Sequence, residues 1–348
     1  MKFTCSQSDL SHALRAVSRA VGTGRSGHPI LAGVLLAADA GTVRVTAYDL
    51  DLGISTAITA AVDTTGACVV PHRLLADITG RLDASEALSL AVDGTRVTLT
   101  AAGGSYSLSV ASAEDFPALP VVDAAAGAAV DLSAPLAAVL PAAATDASKQ
   151  LLTGVHLVIA DGAMRLESTD GHRLAVRTAD TDAADLDIVL PARTLQQIRQ
   201  PATITADNHQ AAIALADGTL VVSRLLDGTY PNVQQLIPAS YEHTAVVDRL
   251  AMLSALERVA VIADSHNSVV KLTAATKRLT IAAEAEANSG SESIAMDGTL
   301  PTLAFNVHYL IDAFKHLSGD TATISGNTST TPVVFEPGLT LVMPVQVR

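Results

Sequence analysis

Three stretches of this 348-residue chain repeat one order of patterns, and such a repeat constrains the fold more tightly than any local motif. The first begins at Leu10 with LSHALRAVSRAV and continues through HPILAGVLLAA, TVRVTAYDLD and VVPHRLLADITGRL to LSLAV, TRVTLTA and SYSLSVA. The second runs LAAVLPAAAT, LLTGVHLVIA, MRLESTDGHRLAVRT, IVLPARTLQQIR, ATITAD, AAIAL and TLVVSRL. In the third, LAMLSALERVAVIA leads through SVVKLTA, RLTIAA, LAFNVHYLIDAFKHL and ATISG to VVFEP and LTLVMPV. The second helix of each stretch is expected near Pro71, Pro191 and Asn306, at spacings of 120 and 115 residues. Each unit therefore reads helix, strands, helix, strands, which is an α+β pattern. The expected domains are 1–120, 128–242 and 243–348, with proline-containing joints over Pro117–Val122 and Pro231–Ser240.

Local patterns support the repeat. Leu10, Ala13, Leu14, Val17 and Val21 fall on one helical face, with Arg15 and Arg19 opposite. Alternation at Val97 and Leu99, at Tyr106, Leu108 and Val110, and at Leu220 and Val222 suits half-buried antiparallel strands. Asp93-Gly94, Asp161-Gly162 and Asp217-Gly218 separate such runs and read as hairpin turns.

Charge narrows the function classes. The formal net charge is −13, from 35 acidic against 22 basic residues, which at first argues against a nucleic-acid binder. Yet Arg15, Arg19, Arg73, Arg81, Arg193, Arg199, Arg249, Arg258 and Lys315 lie on or beside the expected helices, while the acids gather in turns such as Asp180–Asp187 and Glu284–Glu292. If the helices faced inward, an acidic protein would carry a basic lining suited to phosphates. Ordinary solvated helix faces explain the same pattern. With Cys5 and Cys68 as its only cysteines, the chain has neither a disulfide framework nor a CxxC motif, so a reducing, cytoplasmic location is expected. No secretory signal follows Lys2, and the alanine-rich stretch near Ala124–Thr145 is broken by Asp131, Pro135 and Pro141, so no membrane span is expected. Absence of Trp and an aromatic content of 3% disfavour capture of single strands by stacking.

Taken in order, MKF with LRAVSRAV, HPILAGVLL, VVPHRLL, EDFPALP, STDGHRLAV, LDGTYPNV and the terminal VMPV resemble the bacterial DNA polymerase III beta subunit family, the beta sliding clamps, over essentially the whole chain. The resemblance implies three tandem clamp domains, each with two helices and antiparallel sheets, and a head-to-tail homodimer closed into a ring around duplex DNA. A ring holds DNA by topology, so its lining needs only nonspecific phosphate attraction. Resemblance places Arg25, Lys149 and Arg193 near DNA, beside the helix residues Arg15, Arg19, Arg73 and Arg199. It also implies that Tyr106 and Leu108 of one subunit meet Val261 and Ile262 of the other. Intradomain core explains the spacing of those four equally well.

Clamps of this family hold the replicative polymerase, clamp loader and repair polymerases through a short peptide motif seated in an apolar groove. Its residues map here to Leu152, Thr169, Gly171, His172, Arg173 and Leu174, then to Pro231, Gln235 and Leu236. Leu341, Val342, Met343, Pro344 and Val345 complete the set. Aliphatic and Met side chains make an adaptable pocket for apolar anchors. For the DGHR turn alone, a structural hairpin would be the simpler reading. Gln235 and Gln346 stand where the better-known enterobacterial member has arginines, and the chain is short near Arg199–Thr205. These departures suggest a divergent second clamp that tolerates a groove-binding antibiotic, with a cyclic peptide inhibitor as a further groove ligand.

Enzyme readings lack their usual parts. Gly22-Thr23-Gly24-Arg25-Ser26-Gly27 matches GxGxxG but follows an expected helix and precedes an expected strand, the reverse of a phosphate-binding loop; a flexible loop near DNA is the better reading. No Walker A, HExxH or GxSxG sequence occurs, and the ten His are scattered, so neither cofactor nor metal is expected. The alternatives are a repeat-built enzyme, which would show strongly shifted carboxylates in a deep pocket, and a protein-binding scaffold that no longer loads onto DNA.

Overall fold

A computed structural model describes residues 1–23, 28–122, 128–264, 267–286 and 288–346. The chain packs as two compact units, residues 1–131 with 197–225 and residues 132–196 with 226–348. All strand pairing is antiparallel.

In the first unit, helix α1 (Gln7–Val17) starts where the Ser6 hydroxyl accepts from the Asp9 N–H at 3.0 Å, a serine N-cap with an acid in the first turn. It buries Leu10, Ala13, Leu14 and Val17 and exposes Arg15, as its spacing requires. Helix α2 (His72–Thr79) follows Pro71. A five-stranded sheet runs in the order Ala61–Thr64, Lys2–Ser6, Ala87–Asp93, Arg96–Ala101, Gly104–Ser109. A nine-stranded sheet carries strands of the first repeat, from Ala111–Ser112 to Leu52–Thr59, into Leu220–Arg224, Gln210–Leu215 and Ala202–Ala206 of the second and ends on Ala128–Val130. The join is Leu220↔Ser55 to Ser223↔Leu52.

The second unit holds helices α3 (Ser133–Val139), α4 (Ala192–Leu195), α5 (Arg249–Ala263) and α6 (Val307–His316). The caps of α5 and α6 are Asp248, accepting from the Ala251 N–H, and Asn306, accepting from the His308 N–H. Lys315 in the last turn of α6 suits the negative end of its dipole. Helix α4 is a single turn where IVLPARTLQQIR suggests a full helix. Pro201 sets an outer limit, because it disfavours helix at Gln200 and the strand Ala202–Ala206 begins at once; the earlier end at Leu195 has no explanation in the structure. A twelve-stranded sheet starts Leu186–Pro191, Gly154–Ala160, Ala163–Thr169, Arg173–Asp180 and continues through Thr340–Val342 into the third repeat. The core of that repeat packs α5 and α6 through Leu256, Val259, Leu310 and Phe314 against Leu272, Ile281, Phe305 and Phe335.

Candidate functional site

The hairpin turn at Asp161 (φ 53°) and Gly162 (φ 77°) has two left-handed residues, the type I′ geometry that matches strand twist. It fixes the register of Gly154–Ala160 on Ala163–Thr169, and the next strand, Arg173–Asp180, pairs with Thr340–Val342 through Arg173↔Val342 and Leu174↔Leu341. On the same face of this sheet, Leu174, Val189, Val334 and Leu341 are buried with Tyr230 and Val233 of the connecting loop. Leu151, Leu152, Leu226 and Ile237 pack on this cluster, partly exposed. The DGHR turn meets the C-terminal segment where the Met343 N–H donates to the His172 carbonyl at 2.9 Å. Val345 in turn donates to the Ala304 carbonyl at 2.7 Å.

The groove residues inferred from sequence divide by burial. Thr169, Leu174 and Leu341 are buried on one face of the sheet and form the floor, whereas Val342, the strand neighbour of Leu341, is buried on the other face in the core of the third repeat. Leu152, Arg173, Met343 and Pro344 are half-buried, whereas Gly171, His172, Pro231 and Gln235 are exposed. Leu236 is 49% and Val345 38% exposed, leaving apolar rims in solvent. Gln346 donates to the Ser329 carbonyl at 2.6 Å.

Arg173 supports this surface. Its guanidinium pairs with Asp170 at 3.1 Å and Asp312 at 2.6 Å, donates to the Pro141 carbonyl, and lies 4.3 Å from the Tyr309 ring centroid. The Asp170 carboxylate also accepts the His172 and Arg173 N–H groups, and Gly171 takes φ 91°, which glycine adopts without strain. One guanidinium thus ties the turn to α6 and to the segment after α3. Lys149 donates to the Asp170 carbonyl at 2.7 Å and shares with Asp146, His172, Arg173 and Tyr309 a polar cavity of about 250 Å³.

Beside the floor, on the same face of the sheet, lies a cluster that no sequence motif singled out. His156 Nδ1 is 2.8 Å from Glu167 and Nε2 is 2.8 Å from Asp187, while Arg165 sits 3.3 Å from the other Glu167 oxygen. Burial alone would lower the His156 pKa, but the hydrogen bonds and charges of Glu167 and Asp187 outweigh it and raise the value. The imidazole stacks on Tyr230 at 5.0 Å, and the Tyr230 hydroxyl accepts from the Thr169 N–H at 3.2 Å. Burial also raises the Tyr230 pKa, so this phenol stays neutral. The type I′ turn could have revealed the pair, because its register sets His156 opposite Glu167.

Arg15, Arg19, Arg73, Arg193 and Arg199 are all exposed on or beside helices. Acids accompany the basic residues more closely than the sequence suggests: Arg73 pairs with Asp77 at 3.8 Å, Lys315 with Glu257 at 3.5 Å, and Arg258 with Glu292. Arg25 and the last four residues of the Gly22–Gly27 loop lie outside the described residues. Tyr106 is 38% and Val261 73% exposed, while Leu108 is buried and Ile262 half-buried in their own units. Tyr106 and Leu108 sit on Gly104–Ser109, the edge strand of its sheet.

Models of the DNA polymerase III beta subunit match residues 1–120 as the N-terminal, 131–232 as the central and 234–339 as the C-terminal domain. The chain is 39% identical to the beta sliding clamp of Synechococcus elongatus, covering 100% of both chains, and 36% identical to that of Synechocystis, covering 99% of both. The chain belongs to the beta sliding clamp family. Among solved structures, the Bacillus subtilis clamp matches at 25% identity with a TM-score of 0.91 over 100% of both chains. A Bartonella birtlesii clamp bound to griselimycin matches at 26%, also with a TM-score of 0.91 over 100% of both.

As a sliding clamp the chain is a non-catalytic processivity factor of DNA polymerase III, built of three tandem clamp domains. The carboxylate shifts resolved among the described residues are all downward and arise at Asx turns or ion pairs, as at Asp83, Asp207 and Glu292. A general acid would need the opposite shift. No group of three or more metal-binding side chains occurs among the described residues. The Glu167 and Asp187 carboxylates bind different nitrogens of His156. No helix among the described residues is long and apolar enough to cross a membrane.

The repeat also explains a second cavity. Near Gly33, Val69, Pro71 and Ala111 an apolar pocket of about 280 Å³ opens in the first unit. The corresponding place in the second repeat is filled: Leu226 donates to Val189, as Ala111 lies opposite Val69, and its side chain covers Gly154.

Proposed function

We propose that this clamp encircles duplex DNA as a head-to-tail homodimer in the cytoplasm and tethers the polymerase through a peptide motif seated over the Leu174–Leu341 floor. The observation that carries the groove reading is the pairing of that buried floor with the solvent-exposed Leu236 and Val345. Exposed apolar side chains beside a buried apolar floor suit the seating of apolar peptide anchors. Domains 1–120, 128–242 and 243–348 are the proposed repeats, with Arg15, Arg19, Arg73, Lys149, Arg193 and Arg199 directed at phosphates. Tyr106 and Val261, exposed on separate elements, are the proposed anchors of the subunit joint, with Leu108 and Ile262 supporting them.

Griselimycin, bound to a relative in the Bartonella structure, is a direct probe of the groove. Leu236→Asp removes one apolar rim and should weaken griselimycin binding by about 10- to 100-fold in calorimetry, the equivalent of burying one leucine. Unchanged affinity would refute the groove assignment. For the ring, light scattering should give twice the chain mass, and loaded protein should be retained on circular DNA and released on linearisation.

A further inference from the structure

The environment of His156 sets a condition on the groove that the floor residues alone do not reveal. Both ring nitrogens face carboxylate oxygens at 2.8 Å, and a neutral imidazole has only one N–H to donate. Both contacts are satisfied when the ring is an imidazolium, or when a carboxyl carries the proton in its place. The Glu167 side chain is 3% exposed, so losing its charged partner would leave a buried carboxylate with Arg165 as its remaining cation. Charged or titratable groups facing the ring are Glu167 and Arg165 from the next strand, Asp187 from the strand on the other side, and Tyr230 from the covering loop.

From this cluster a continuous set of contacts reaches the groove. The ring carries Tyr230, the Tyr230 hydroxyl holds the Thr169 N–H, and the Thr169 hydroxyl accepts from Gly171 and donates to the Arg173 carbonyl at 2.7 Å. Val233, three residues beyond Tyr230, begins the 3-10 turn that bears Gln235 and Leu236.

We propose that His156 is a positioning residue for the peptide groove, whose imidazolium, clamped between Glu167 and Asp187, holds Tyr230 and the Leu236 turn in the binding arrangement. The inference rests on the groove reading above. Its sign follows from the raised pKa in the folded chain: the ring is charged below that value and loses its proton as pH rises through it. Peptide affinity should therefore decline on the alkaline side.

The test measures griselimycin affinity by calorimetry from about pH 5.5 to about pH 9.5, alongside the His156 and Tyr230 ring signals in NMR. Wild-type affinity should fall about fivefold as the His156 ring titrates, with Tyr230 shifting at the same midpoint. Asp187→Asn, at a side chain 75% exposed and therefore tolerant of change, should move both midpoints to lower pH. His156→Gln keeps a donor but has no proton to lose, and should flatten the profile. Affinity that stays constant through the His156 titration, while Leu236→Asp still weakens binding, would overturn the inference and leave the groove reading intact. Binding indifferent to Leu236→Asp would overturn both.

Discussion

Replacing Arg173 with lysine tests whether this side chain serves the groove from behind or from within. Lysine keeps the charge and most of the length but loses the planar fork that reaches Asp170, Asp312, the Pro141 carbonyl and the Tyr309 ring together. An ammonium on the same stem can retain about one of the two carboxylates. One charge-assisted hydrogen bond to a carboxylate and one to a carbonyl are then lost, each contributing about 1.5–3 kcal/mol where the group is buried. The Arg173 and Asp170 side chains are both 14% exposed, so solvent screening reduces this little, whereas Asp312 at 37% is discounted. The net expectation is a loss of about 2–4 kcal/mol. Urea unfolding followed by tyrosine fluorescence should show a lower midpoint with an unchanged slope. Asp312→Asn should lose about 1 kcal/mol, and the double variant should lose less than the two single losses combined, as coupled partners do. An Arg173→Lys midpoint within about 0.5 kcal/mol of wild type, together with a large loss of griselimycin affinity, would show that the guanidinium contacts ligand and not the scaffold.

Two further outcomes follow from the first unit. Ala111→Leu should fill the pocket that Leu226 fills in the second repeat, adding about 1 kcal/mol of stability and raising the melting temperature by a few degrees; a destabilised protein would show that the two positions are not equivalent. Burial, reinforced by Asp9, pushes the Cys5 thiol up to about 12, and burial pushes Cys68 up to about 11. Both should resist iodoacetamide at about pH 8 until the chain unfolds, and rapid native labelling of either would contradict the packing around it.

Much of this architecture was legible because repetition and turn chemistry are local. The serine and aspartate caps, the Asp-Gly turns and the alternating strands each follow from a few adjacent residues, and the helices start one residue after Pro71, Pro191 and Asn306. The shortness of α4 was not legible, because the apolar spacing of Leu195 and Ile198 continues past the point where the helix ends. Site chemistry was harder to read. Resemblance supplied the groove residues, Arg173 among them, but gave no hint of its pairing with Asp312, 139 positions away. His156 gave no motif. Its meaning depends on cross-strand neighbours and on a loop tyrosine 74 residues later, a conjunction that spacing alone does not rank above a solvated histidine.

The seams within the two sheets bear on any attempt to excise the middle repeat. Its strand Leu220–Arg224 is hydrogen-bonded to Leu52–Thr59, and its strand Arg173–Asp180 to Thr340–Val342, where Arg177 adds bonds to the Leu339 and His316 carbonyls. Cut free at both ends, that segment would present two bare strand edges, each a template for pairing with other copies of itself. The chain also passes between the compact units at three places, 131–132, 196–197 and 225–226, so neither unit is a contiguous stretch that could be expressed alone. Fragment libraries and split reporters built on the three matched segments should therefore aggregate through the middle piece, and soluble fragments should require that both flanking strands travel with it.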